Sequence, residues 1–257
     1  MHSSVVERCP DKTEVHGPIP CARTKNMILN VVATPIGNLA DCSPRAKEVL
    51  SEATLVIAED TRTTGQLLKL LGIEGKKHFL SSHAQSSESA LQKALEACTE
   101  HEVIALVTDA GTPAISDPGS FFISHFRAMY PQALVVPIPG PSAVIAALSV
   151  SGFPSSHFEF LGFIPHKKGR QTLFQSLTTK EHTVVLYESP HRIMKTLESL
   201  AEVLDESRLV MVGREMTKTF EEYPVNSAKN LLTYYTEHSD KVRGEFVIVI
   251  SPTGLVQ

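Results

Sequence analysis

Several features that would announce a familiar chemistry are missing from these 257 residues. No apolar run approaches the roughly 20 residues that a membrane span needs. The four cysteines, Cys9, Cys21, Cys42 and Cys98, form no CxxC pair and keep no regular spacing. That excludes a disulfide framework and a thiolate metal site, and leaves reduced thiols in a cytoplasmic protein as the expectation. Eleven histidines are scattered without a ligand spacing such as HExxH, so no metal is expected. GxGxxG and GxxxxGKS/T are absent, which removes dinucleotide and P-loop readings, and without GxSxG the simplest hydrolase reading goes too. A surplus of positive charge is also missing. The net charge of -4 argues against a globally basic nucleic-acid binder, although a local patch fits within that total.

What is present is an ordinary soluble composition, 42% hydrophobic and 20% charged. The length suits two modest domains or one large one. The first 26 residues mix charges, prolines and polar side chains without periodicity or a signal-peptide core. They are expected to form a disordered tail, with Met27 an alternative start immediately before the first strand.

From Met27 onward, short apolar runs alternate with amphipathic stretches. Strands are expected at Ile28–Ala33, Leu55–Ala58, Val103–Thr108 and Leu134–Ile138, each apolar enough to be buried on both faces. Helices are expected over Pro44–Ala53, Ser86–Cys98 and Ser142–Ser149, with a further apolar-periodic stretch at Phe121–Met129. The succession predicts a parallel sheet with crossover helices. Ser151 to His157, with Gly, Pro and three serines, is the linker candidate. It divides an N-terminal α/β domain (27–151) from a C-terminal one (152–257). In the second half, strands are expected at Phe158–Phe163, Thr183–Tyr187, Leu209–Gly213 and Phe246–Ile250, and also at Thr219–Val225. That half leaves room for antiparallel pairing, with helices over Gln171–Leu177, His191–Leu204 and Ala228–His238.

Chemistry concentrates where strands end. Four loops of the first half follow a strand directly: Ala33 to Asp41, Ala58 to Thr64, Asp109 to Gly119 and Pro137 to Ala143. In a parallel sheet they gather at the carboxyl edge, where ligands bind. Prolines flanking the glycines predict rigid, preshaped loops. In the second loop, Glu59, Asp60 and Arg62 admit two readings: helix capping with a local ion pair, or a carboxylate and a guanidinium at a pocket mouth. The second half has strand-end motifs of its own, YESPHR (187–192), REMTK (214–218) and RGEF (243–246). Between Gly162 and Lys195 six Lys or Arg stand against two Glu, including the run HKKGR. Such a run is commonly a solvated face, but beside a pocket it suits a polyanion.

TPIGNLAD, AEDTRTT, DAGTPAISDPG, IPGPSA, YESPHR, REMTK and GEF, in this order, closely resemble the ribosomal RNA small subunit methyltransferase I family of the tetrapyrrole-methylase superfamily. The resemblance runs from about Ile28 to Ser251. It implies two α/β domains, the first with a mostly parallel sheet and the second with a mixed one, with S-adenosylmethionine in the cleft between them, and a homodimer. It further implies methyl transfer to the ribose 2′-hydroxyl of a cytidine, at position 1402, in 16S ribosomal RNA or the assembled small subunit. Carried onto matching positions, Pro35, Ile36, Gly37 and Asn38, then Asp109, Gly111, Thr112, Ser116 and Asp117, then Pro139, Gly140, Pro141 and Ser142 hold the cofactor from the first domain. Tyr187, Glu188, Glu215 and Glu245 close it from the second. Lys167, Lys168, Arg170 and Arg192 are the candidate RNA contacts. Some family members continue into a further C-terminal segment.

A ribose hydroxyl is a poor nucleophile at neutral pH, so a base or orienting group is expected. Asp60 is the first candidate, with Arg62 holding a phosphate or the carboxylate, and Glu59, Lys218 and Glu245 are rivals. Two other readings stay open: a corrin or porphyrin precursor methylase of the same fold, and a non-catalytic RNA-binding assembly factor. The basic segment speaks against the first, and four rigid converging loops against the second.

Overall fold

The computed structural model describes residues 27–82 and 88–255; the expectations for the first 26 residues and for a helix start at Ser86 lie outside the described residues. The first half is an alternating series: β1 (Ile28–Val32), α1 (Pro44–Glu52), β2 (Leu55–Ala58), α2 (Thr61–Leu70), β3 (His78–Ser81), α3 (Glu88–Ala97), β4 (Val103–Val107), α4 (Gly119–Met129), β5 (Leu134–Ile138) and α5 (Ala143–Ser151). Its five strands form one all-parallel sheet in the order β3-β2-β4-β1-β5. Leu29, Ile57 and Leu106 face α3 and α4, where Phe122, Phe126 and Tyr130 pack. Val32, Val56 and Val107 face α1 and α2, against Leu50 and Leu68.

That arrangement decides where a ligand can sit. The chain leaves β1 toward α1 on one face and crosses to β2 on one side. It leaves β4 toward α4 on the other face and crosses to β5 on the opposite side. Neighbouring strands whose connections diverge open a crevice beyond their carboxyl ends. Loops 33–41 and 108–118 border that crevice.

The second half comprises β6 (Phe158–Phe163), α6 (Arg170–Leu177), β7 (Thr183–Glu188), α7 (Ile193–Val203), β8 (Leu209–Arg214), β9 (Val225–Ser227), α8 (Ala228–Glu237) and β10 (Phe246–Ile250). Its sheet, ordered β6-β7-β10-β8-β9, is mixed: β6 and β7 run parallel and the remaining pairs antiparallel. The helices α6, α7 and α8 cover one face through Phe174, Leu197, Leu231 and Tyr235. The other face is covered by α5, whose Val144, Ala147 and Leu148 pack on Val185, Met211, Val247 and Val249. The last helix of the first half therefore serves as a layer of the second, and it ends at Gly152 in the left-handed conformation, φ 71°.

Two expectations need correcting. β5 is not buried on both faces, because it is the outer strand of its sheet and Leu134 stays 60% exposed. No strand spans Thr219–Val225: a single bridge joins Arg214 to Glu222, and pairing with β8 resumes only at Val225. The strand β3 was not anticipated, and α2 was anticipated only in the capping reading of Asp60. Among the described residues, no helix is long and apolar enough to cross a membrane.

The α5 layer is tight enough to test. Ala147 is fully buried there, so Ala147→Leu adds carbons where no space exists. Urea unfolding should show a loss of about 1–3 kcal/mol, the usual cost of overpacking.

Candidate functional site

The four loops of the first half are tied to one another by named bonds. Thr34 and Gly111 exchange backbone hydrogen bonds of 2.9 and 3.1 Å, closing loop 33–41 onto loop 109–119. The Thr34 hydroxyl adds a bond to the Thr108 carbonyl at 3.2 Å. Gly111 holds φ 88°, and a Cβ there would press on Ile36. Thr112 Oγ1 donates to the Pro141 carbonyl at 3.0 Å, adding the fourth loop. Gly140 lies so close to Ala33 that a side chain would meet its Cβ at 2.9 Å. The second loop joins through Thr108 Oγ1, which donates to Glu59 Oε2 at 2.7 Å, and through the Asp60 N–H, which donates to Asp109 Oδ1 at 3.2 Å.

The opening of α4 is strained and stapled. Ala114 and Ser116 hold φ 72° and 62°, a region that costs non-glycine residues about 1–3 kcal/mol each unless their surroundings enforce it. Asp117 supplies the enforcement: its Oδ1 accepts N–H bonds from Ala114 at 2.8 Å and Gly119 at 2.6 Å. Its Oδ2 is buried with no hydrogen-bond partner among the described residues.

The second half closes over these loops. Gly162 sits against Ser116, and Gly37 against Thr217 and Lys218, in each case too close for a side chain to fit without movement. Between the halves lies a cavity of about 410 Å³. Of the residues expected to hold a cofactor, Ile36, Asp109, Ser116, Asp117, Tyr187, Glu188 and Glu245 line it. Pro35, Gly37, Asn38, Gly111, Thr112, Pro139, Gly140, Pro141, Ser142 and Glu215 do not line it but build the loops behind the lining. Asn38 caps a short helical turn by accepting the Ala40 N–H at 3.0 Å, and Ser142 occupies the N-cap of α5 without a side-chain capping bond. Thr108, Phe163 and Val247 also line the cavity and were missed. Nothing in their local sequence sets them apart from core residues. Tyr187 is turned so that its hydroxyl meets the Val144 backbone N–H, and burial pushes its pKa up to about 12.

Three carboxylate clusters behave differently. Glu215, Lys218 and Glu245 form a bridge, the ammonium lying 2.8 Å from Glu215 and 2.9 Å from Glu245. Burial opposes the Lys218 charge, yet these hydrogen bonds outweigh it and raise the pKa above its ordinary value, so Lys218 is a cation at neutral pH. Asp60 is the N-cap of α2, accepting from the Arg62 and Thr63 N–H groups and pairing with the Arg62 guanidinium at 3.0 Å. Hydrogen bonds from the Arg62 side chain and then its backbone bring Asp60 down to about 2. Neither Asp60 nor Arg62 lines the cavity, whereas Glu59 does.

The third cluster corrects the reading of the basic segment. Glu188 is fully buried and held by Arg192 at 2.7 Å, Arg170 at 3.8 Å, Thr196 Oγ1 at 2.7 Å and the Ser189 N–H at 2.7 Å. Arg170 and Arg192 therefore point inward to neutralise a charge that burial alone would forbid. Lys167 and Lys168 remain exposed. Among the described residues, no group of three or more His, Cys, Asp or Glu is placed to hold a metal ion.

Residues 29–232 match the family model described as Tetrapyrrole (Corrin/Porphyrin) Methylases. The chain is 43% identical, over 223 residues, to ribosomal RNA small subunit methyltransferase I of Xylella fastidiosa, covering 86% of this chain and 80% of the relative. It is similar in fold to a solved diphthine synthase, with a TM-score of 0.69 at 14% identity, covering 89% of this chain and 91% of the other. It is likewise similar to uroporphyrin-III C-methyltransferase from Thermus thermophilus in complex with S-adenosyl homocysteine, with a TM-score of 0.57 at 16% identity, covering 88% and 97%.

The Asp60 cap gives a signed pH dependence. Its carboxyl is depressed in the folded state, so its contribution to stability is complete above the unfolded value near 3.8 and disappears as pH falls through about 2. Asn also caps helices, so Asp60→Asn removes the charge and keeps the cap. Melting temperatures of wild type and Asp60→Asn should differ by a constant amount above pH 5 and converge toward pH 2.

Proposed function

We propose, from the premise that this chain belongs to the ribosomal RNA small subunit methyltransferase I family of the tetrapyrrole methylases, that it methylates the ribose 2′-hydroxyl of a cytidine in small-subunit ribosomal RNA. S-adenosylmethionine is the methyl donor. The observation that carries the reading is convergence: strand-end motifs from both halves meet at one cavity of about 410 Å³ on the crevice of the first sheet.

The residues fit such a cofactor. The buried Oδ2 of Asp117, without a hydrogen-bond partner among the described residues, offers an acceptor in the wall. When bound, S-adenosylmethionine supplies a methyl group on a sulfonium that is already a good leaving group. The protein's share is then alignment and exclusion of water. Ile36, Asp109, Ala110, Ser116 and Asp117 face the donor from one side, with loop 139–142 behind them, and Tyr187, Phe246 and Val247 present an apolar wall from the other. Glu59, in the lining and oriented by Thr108, is better placed than Asp60 to take up the hydroxyl proton. Lys218, fixed between Glu215 and Glu245, braces the second half against Gly37. Lys167 and Lys168 meet phosphates. β5, whose outer edge has no strand partner among the described residues, supports pairing with a second copy.

The test is labelled methyl transfer from S-adenosylmethionine to ribosomal RNA and to small subunits from a strain lacking the gene, followed by nucleoside analysis. Label should appear in 2′-O-methylcytidine, and label in a base would overturn the assignment. Glu59→Gln should lower turnover by about 10²–10⁴-fold, the usual contribution of a positioned base, with cofactor affinity by calorimetry changed less than about threefold.

A further inference from the structure

Two large apolar side chains stand in solvent at the rim of the cavity. Phe163, at the end of β6, is 57% exposed, and Ile115, in the loop before α4, is 45% exposed, yet both line the cavity. They come from opposite halves, brought together where Gly162 abuts Ser116. Phe163 is not loose. The pairing of β6 with β7 slips between Phe160 and Phe163, where Gly162 takes φ 68°, and the Phe163 ring rests edge-on against Tyr187 at 5.4 Å. The next residue is clamped as well: Arg192 donates to the Ile164 carbonyl at 2.8 Å and is itself held by buried Glu188. A phenyl ring held rigid and exposed at the cavity mouth, with Ile115 exposed on the opposite half, leaves apolar surface where a ligand must pass.

A ribose hydroxyl that enters the cavity brings its base to the entrance, and a base drawn from its stack there needs a surface to receive it. Aromatic side chains receive unstacked bases through their faces. The exposed cations Lys167 and Lys168 follow within five residues, at most about 18 Å along the chain from the ring, within reach of flanking phosphates. Resting on the RNA methyl transfer proposed above, we infer that Phe163, aided by Ile115, is the platform on which the base of the target nucleotide stacks. A phenyl face makes no hydrogen bonds to base edges, so it positions the nucleotide rather than identifying it.

The experiment uses the full chain and RNA, assembled into subunits where required, with either the natural nucleotide or an abasic ribose at the position that wild type methylates. Phe163→Ala should raise KM for the natural substrate about 5- to 150-fold, the range that one base–aromatic stack contributes. Ile115→Ala should raise it less, and Phe163→Tyr should stay within about threefold of wild type. Cofactor affinity and oligomeric state should not move. On the abasic substrate, wild type and Phe163→Ala should coincide, which a merely structural defect would not produce. An unchanged KM, a penalty that persists on the abasic substrate, or a parallel loss of cofactor affinity or of oligomeric state overturns the inference. If wild type methylates no RNA, the functional reading falls first and takes this one with it; an active wild type with an unaffected Phe163→Ala removes only the platform.

Discussion

The exchange of backbone bonds between Thr34 and Gly111 is the constraint on which the site depends. β1 and β4 are adjacent, but the chain leaves them in opposite directions, so their loops would part unless something joined them. A two-bond bridge at 2.9 and 3.1 Å does so, and it requires the φ of 88° that Gly111 adopts. Once that contact is made, Thr112 reaches Pro141, Gly140 closes on Ala33, and Thr108 orients Glu59. The crevice that topology opens is thereby given a fixed floor.

The two sheets are joined by more than a linker. α5 begins at the fourth loop of the first half and packs along its length against the second sheet. Any rotation of one half against the other must therefore move the N-terminus of α5, where Ser142 and the Tyr187 hydroxyl both sit. Tight contacts at Gly37 and Gly162 oppose such rotation at the two ends of the cleft. The cavity is in this sense a property of the packed pair of halves, since its walls come from both.

Most of the fold was legible in the sequence because parallel strands buried on both faces leave continuous apolar runs, as in β1, β2 and β4. What escaped was marginal by composition. β3, with the sequence HFLS, has only two adjacent apolar residues and does not stand out, and α2 holds Gly65 and three threonines in ten residues, so only its Asp60 cap signalled a helix. TFEEYPV reads as a strand by residue type, but Pro224 and the bridge at Glu222 leave it mostly outside the ladder. Site residues were legible where a motif marked a strand end. Phe163 was not, since a ring turned outward by a backbone irregularity has the same sequence as one turned inward.

The basic segment shows why charge counted along a chain misleads. HKKGR and YESPHR each read as offering cations to solvent, yet the two arginines converge on Glu188 from different elements, 18 residues to one side and four to the other. Burying one carboxylate is unfavourable unless cations and hydrogen bonds compensate it, and here two guanidinium groups, a hydroxyl and an N–H share that task. Removing either arginine alone would leave part of that charge uncompensated beneath the cleft wall. The planar guanidinium suits this, because Arg192 binds Glu188 with one nitrogen and the Ile164 carbonyl with another, which a lysine could not span in the same geometry. Lys167 and Lys168, just before Arg170, gain nothing from burial and stay in water. Residue type thus divides one cationic run into an internal brace and an external contact surface, and the brace holds the chain on which that surface is displayed.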